Sequence, residues 1–229
     1  MWVGDWSFEQ VDGGYRAEVR GGDFAYALSL SPDGPPMLNG DSGFSVKGAD
    51  PQHASYYYSQ PQLKVSGTVT LSGRTQAVSG RAWLDHEWSS ELLPEGAQGW
   101  DWVGLNLDDG SALMAFRMRS ANRSPLWSAA SLRPAGGATQ VLSPDTIAFE
   151  PLRQWGSSRT GITYPVEWQI RIGSRIFSLQ ALIDDQELDS RRSSGAVYWE
   201  GAVRVVEGGR EVGRGYLEMT GYGERIRVG

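Results

Sequence analysis

The sequence predicts an all-β fold, and three observations carry that expectation. Its 229 residues include ten Trp, nine Tyr and 30 Gly; aromatics suit pleated, half-buried surfaces and glycines suit turns and bulges. Short runs alternate apolar and polar residues, the period of a strand with one buried face, and no stretch has convincing helical periodicity. Gly pairs and Asp-Gly steps separate these runs, and both residue types tolerate the positive φ of tight turns.

In chain order, residues 2–8 form the first strand candidate, and Gly13-Gly14 turns the chain into the alternating run 15–20. Gly21-Gly22 then leads into Phe24-Ala25-Tyr26-Ala27-Leu28-Ser29-Leu30, a strong strand. Residues 31–43 read as a long Pro/Gly-rich loop, the kind of connection that often carries function. Ser55-Tyr56-Tyr57-Tyr58-Ser59 is a polar-aromatic strand, 63–71 another, and Gly73-Arg74 turns the chain into its centre. There, Gly99-Trp100-Asp101-Trp102-Val103-Gly104-Leu105-Asn106-Leu107 turns at Asp108-Asp109-Gly110 into the run 112–119, a hairpin signal. Residues 127–132 follow, and 144–159 look irregular around Phe149 and Trp155. Two further hairpins, 165–183 and 197–220, alternate cleanly. About a dozen strands result, with a domain boundary near residues 78 and 79, giving units 1–78 and 79–229.

Composition narrows the function. Lys plus Arg number 21 against 27 Asp plus Glu, a formal net charge of −6, so electrostatics favour no nucleic-acid partner. Cys is absent, which excludes disulfides and thiolate chemistry. No apolar run nears the roughly 20 residues of a spanning helix, and the first residues lack signal-peptide character. Stable membrane insertion is therefore not expected. Only His53 and His86 are present, too few for a His-rich metal centre, and no phosphate loop, dinucleotide fingerprint or nucleophile elbow occurs. No metal and no cofactor is expected.

The chemistry concentrates in Arg81-Ala82-Trp83-Leu84-Asp85-His86-Glu87-Trp88. On a strand, Trp83, Asp85 and Glu87 share one face and Leu84, His86 and Trp88 the other. Each face mixes bulky side chains with an ionisable group, the pattern of a carboxylate or imidazole set in a largely apolar pocket. Two carboxylates two residues apart stand about 7 Å from each other, near enough to raise one pKa and serve as an acid–base pair. The same pattern also fits carboxylates that bond a Tyr, Trp or Arg and merely satisfy a polar core. Likewise the Tyr56-Tyr57-Tyr58 run and the many Trp suit either a ligand pocket or a core.

Five stretches resemble the AttH-like family, which is related to carotenoid 1,2-hydratase (hydroxyneurosporene synthase) and kievitone hydratase. They are Asn39-Gly40-Asp41-Ser42-Gly43-Phe44-Ser45-Val46-Lys47-Gly48, Ala54-Ser55-Tyr56-Tyr57-Tyr58-Ser59, residues 78–88 with their Asp-His-Glu-Trp block, Gly99-Trp100-Asp101-Trp102, and residues 213–222. The resemblance implies two packed lipocalin-like antiparallel β-barrels, the first of them incomplete. Its exposed edge near residues 2–30 would favour self-association. It also implies periplasmic or secreted localisation, and a hydro-lyase that adds water to a C=C bond of a terpenoid or prenyl group. The alternative is a non-catalytic lipocalin-like carrier of a hydrophobic small molecule. For the enzyme, Asp85 is expected as acid, with Glu87 or His86 placing water. Tyr57, Trp83, Trp88, Trp100 and Trp102 would shape the ligand site.

Overall fold

The structure is a computed structural model that describes residues 1–192 and 195–226. Its first eight strands are β1 (Trp2–Val3), β2 (Trp6–Val11), β3 (Gly14–Arg20), β4 (Phe24–Ser31), β5 (Met37–Leu38), β6 (Phe44–Val46), β7 (Ala54–Leu71) and β8 (Arg74–Glu91). Then come β9 (Gly99–Leu107), β10 (Ala112–Arg119), β11 (Pro125–Arg133), β12 (Gln140–Leu142), β13 (Ile147–Pro151), β14 (Gln154–Gly156), β15 (Thr163–Pro165) and β16 (Glu167–Ile172). The last four are β17 (Arg175–Ala181), β18 (Glu187–Ser190), β19 (Ala196–Glu207) and β20 (Arg210–Thr220). One 3-10 turn at Pro144–Thr146 is the sole helical element among the described residues. The fold is all-β, as expected, with more strands than the sequence suggested. Seven of them have only two to four residues, too few for alternation to register.

Two compact units divide the chain. The first takes Met1–Pro36 and Ser59–Asp85, the second Met37–Tyr58 and His86 onward. Residues 78 and 79, where the sequence analysis drew its boundary, lie within β8, just after the tip of the β7–β8 hairpin. Ser72 and Gly73 supply its turn at φ 48° and 78°.

The first unit is an antiparallel meander in which β1 pairs β2, β2 pairs β3, β3 pairs β4, β4 pairs β7 and β7 pairs β8. Phe8 stacks on Tyr15 at 5.3 Å between ring centroids, and the Trp6 indole donates to the Arg20 carbonyl at 2.8 Å. These contacts tie the outer strands together across the sheet. The strand path is open, with β1 pairing only two residues of β2 at its edge.

In the second unit, β5 and β6 pair with β7. A ten-stranded antiparallel sheet follows the order β12-β11-β10-β9-β20-β19-β17-β16-β13, with β18 on β19. It curls so that β13 returns beside β11. Alternation along β9 sends Asp101, Val103, Leu105 and Leu107 inward, where they are buried, and Trp100, Trp102 and Asn106 outward. Inside, Leu113, Tyr164, Trp168, Phe177, Trp199 and Leu217 pack into one continuous core. The interior of this sheet is therefore filled by side chains, unlike the open calyx of a ligand-carrying barrel.

Residues 144–159, expected to be irregular, contain β13 and β14. Proline at 144 and 151 and Gly156 cut the alternation into pieces too short to read. Pairing of Phe149 with Ile170 and burial of Phe149 in the core give β13 its structure.

Candidate functional site

The second-unit end of β8 places Glu87 on one face of the strand and His86 and Trp88 on the other. Glu87 Oε1 accepts from Lys47 Nζ at 2.7 Å and from Ser55 Oγ at 2.5 Å. Lys47 is only 3% exposed. An ammonium so buried is tolerable when paired and bonded. Besides Glu87 it has Ser45 Oγ at 3.0 Å, the Tyr57 ring at 4.8 Å and the Phe116 ring at 4.3 Å. Tyr57, 2% exposed, accepts from Trp102 Nε1 through its hydroxyl at 2.9 Å. Trp100 Nε1 donates to Glu218 Oε1 at 2.7 Å. Glu87, Lys47, Tyr57, Phe116, Trp102 and Trp100 thus share the outer face of the ten-stranded sheet.

His86 belongs to a different assembly. It stacks on Tyr58 at 5.3 Å and meets Trp88 edge-on at 5.1 Å, while Trp88 stacks on Tyr56 at 5.6 Å. Phe44 continues the series at 5.9 Å from Tyr56. Trp88 is 52% exposed and lines a groove of about 490 Å³ with Phe44, Tyr56 and Glu91. The imidazole is a ring in an aromatic ladder facing away from Glu87.

Asp85 and Trp83 lie in the first unit. Asp85 Oδ1 accepts from Ser59 Oγ at 2.6 Å and from Trp83 Nε1 at 2.7 Å. The half-buried Trp83 is thus a hydrogen-bond donor to Asp85, where the sequence suggested an apolar wall, and Asp85 itself is exposed. Bonds from neutral donors to a carboxylate are charge-assisted, and Asn would weaken both. Discounted for exposure, Asp85→Asn is expected to cost about 1 kcal/mol at pH 7. Denaturant melts check this; an unchanged or higher midpoint would mean that the Ser59 and Trp83 bonds contribute nothing to stability.

Asp101 is the most buried carboxylate near this region, at 0% exposure, but it faces the filled interior. Its Oδ2 accepts from Arg117 Nε at 2.7 Å and Arg119 Nε at 3.2 Å, and its Oδ1 from the Tyr222 hydroxyl at 2.9 Å. Arg119 also donates to the Thr220 carbonyl, and its guanidinium sits 4.0 Å over the Tyr222 ring. Burial first, then the Asp101 charge, pushes the Tyr222 hydroxyl well above the ordinary tyrosine range. This cluster is a saturated polar plug with the chemistry of support. Among the described residues, no group of three His, Asp or Glu side chains converges as a metal site.

The sequence profile of the AttH-like family matches residues 1–222. The chain belongs to the AttH-like family. This AttH-like chain is similar to a Nitrosomonas europaea protein assigned as AttH. The two are 50% identical and superpose with a TM-score of 0.91, over 95% of this chain and 68% of that one. Kievitone hydratase from Nectria haematococca superposes with a TM-score of 0.77 at 21% identity, over 97% of this chain and 70% of its own. CghA gives 0.56 at 14% identity, over 95% and 66%. At these lower identities the likeness is one of fold, all-β and lipocalin-like. No curated protein matches the AttH-like chain.

Of the residues expected from the sequence, the structure brings Glu87, Tyr57, Trp100 and Trp102 to one face. It sets His86 and Trp88 on another and describes Asp85 and Trp83 in the first unit. Lys47 and Ser55, which hold Glu87, were not anticipated as site residues. Both lie in stretches that carry the family resemblance, yet nothing in local alternation marks Lys47 as buried, because its partners are distant in sequence.

Proposed function

We propose that this AttH-like protein is hydratase-like and adds water to a C=C bond of an apolar terpenoid or prenyl substrate on the outer face of its ten-stranded sheet. The observation that carries the reading is Glu87, a carboxylate fixed through one oxygen by the buried Lys47 ammonium and Ser55. Its partner Lys47 stands over the Tyr57 and Phe116 rings, and the Tyr57 hydroxyl meets Trp102. Hydration of an isolated alkene needs a proton donor, a surface that tolerates a transient carbocation, and a base that takes a proton from the attacking water. The Trp102 indole meets the second requirement by attraction of positive charge to the ring, whereas the Tyr57 and Phe116 rings already face the Lys47 ammonium. Glu87 meets the third through Oε2, the oxygen that Lys47 and Ser55 leave to the site. Lys47 and Ser55 are positioning residues. Asp85, the proton donor expected from the sequence, belongs to the first unit and takes no part in this reading.

Likeness of fold to kievitone hydratase supports the reading at the level of architecture. Incubating the protein with a prenyl-bearing phenol and with a linear terpenoid alkene tests it. A product heavier by one water is expected, whereas saturable binding without product would replace the hydratase with a carrier.

A further inference from the structure

On the outer face of the ten-stranded sheet, Phe116 has Trp102 of β9 as one cross-strand partner and Ala129 of β11 as the other. Trp127 and Ser131 pair with Met118 and Met114, two places either side of Phe116 on β10. They are therefore its diagonal neighbours, roughly 7–8 Å away, and leave β11 on the same face. Each carries a buried polar atom with no hydrogen-bond partner among the described residues, Trp127 Nε1 and Ser131 Oγ. Ser131 as a whole is 1% exposed.

The ladder offers these atoms no partner. Met118 stands across from Trp127, and Met114 and Val141 stand across from Ser131; a thioether is a weak acceptor and a valine side chain has none. A buried donor left unanswered costs stability, so native chains keep few of them. Two on one strand face, either side of a single residue, are both answered if a polar ligand binds there. Access exists, because Ala129 between them is only half-buried and is the smallest side chain in its row with Phe116 and Trp102.

This place adjoins the carboxylate of the proposed reaction. Lys47 Nζ stands 4.3 Å over the Phe116 ring and holds Glu87 Oε1 at 2.7 Å. A group above Ala129 is one strand spacing, about 4.8 Å, from a group above Phe116. That is comparable with the separation of ring and C=C in a prenyl-bearing phenol. The ring then lies over Ala129 while the alkene lies over Phe116, on the side of Lys47 and Glu87.

We propose that Trp127 and Ser131 recognise the oxygen atoms of a substrate head group, so that the alkene hydrated beside Glu87 belongs to an oxygen-bearing molecule such as a prenyl-bearing phenol and not to a terpenoid hydrocarbon. The inference rests on the hydratase reading and names its substrate class. Trp127 Nε1 only donates and so requires an acceptor oxygen, hydroxyl or carbonyl, whereas the Ser131 hydroxyl donates or accepts. A hydrocarbon in the same place leaves both atoms buried and unanswered. A site built to bond an oxygen rejects the analogue that lacks it, because its own polar groups then stay unpaired.

The test compares kcat/KM on a prenyl-bearing phenol and on the same prenyl arene without its hydroxyl. The wild type should prefer the phenol by at least about 100-fold. Ser131→Ala and Trp127→Phe should each cut that preference by about 10-fold. A second measurement needs no substrate. Ser131→Ala removes only the unanswered oxygen, so its denaturation midpoint without ligand should equal or exceed that of the wild type. A lower midpoint means that the hydroxyl is already satisfied in the free protein, by an ordered water, and overturns the inference. Equal kcat/KM on the two arenes, a preference that either variant keeps in full, or turnover of the linear terpenoid alkene alone overturns it too. All of these leave the hydratase reading standing. Absence of product from the wild type on the phenol, the arene and the terpenoid alkene removes both.

Discussion

Replacing Asp101 by Asn is expected to destabilise the second unit by about 3–5 kcal/mol, because it strands two buried guanidinium groups. Asn keeps the shape of the side chain and one acceptor oxygen. It removes the charge that Arg117 and Arg119 share and puts an amide where one of them donates. Neither arginine can turn to water. Arg119 is 1% exposed and tied to the Thr220 carbonyl, while Arg117 donates to the Phe149 carbonyl at 3.0 Å and lies 5.0 Å over the Trp168 ring. The loss should appear as a melting temperature lower by roughly 6–20 °C for a chain of this size. Exchanging Asp101, Arg117 and Arg119 together for apolar residues of similar volume should cost far less, since no charge is left behind. A single Asp101→Asn variant that melts within about 1 kcal/mol of wild type would mean that water reaches the cluster.

The second large effect is on activity. Glu87→Gln should lower turnover by roughly 100- to 10,000-fold, the usual worth of a positioned proton acceptor. Gln can still accept from Ser55, but the Lys47 ammonium then lies buried without its counter-charge, so some stability is lost as well. The double variant Glu87→Gln with Lys47→Met separates the two effects. Its denaturation midpoint should recover towards wild type, since the unpaired charge is gone, and its turnover should not. Recovery of turnover in the double variant would make Glu87 a partner for Lys47 and nothing more.

Much of the fold was legible because strand alternation and turn chemistry are local. The hairpin of β9 and β10 was readable from its Asp108-Asp109-Gly110 turn, where Gly110 takes φ 87°. Counting outward from that turn also pairs Asp101 with Arg117, so half of the buried ion cluster was available from register. What the sequence withheld was burial, since nothing local says that both side chains point into a core closed by β13, β16 and β20. The mixed face of Asp85 and Glu87 was equally visible, but the two carboxylates answer to different partners. Ser59 and Trp83 take one, Lys47 and Ser55 the other, and such pairings depend on contacts up to 40 residues apart in sequence.

The proposed chemistry lies on the outer face of the ten-stranded sheet, with support in its interior. A crystal structure with a bound tertiary-alcohol product of a prenyl-bearing phenol tests that placement directly. The hydroxyl is expected within hydrogen-bond distance of Glu87 Oε2, with the prenyl carbons against Trp102 and Phe116. Product bound instead in the groove beside Trp88 and Tyr56, or enclosed within the sheet against Trp168 and Trp199, would contradict it.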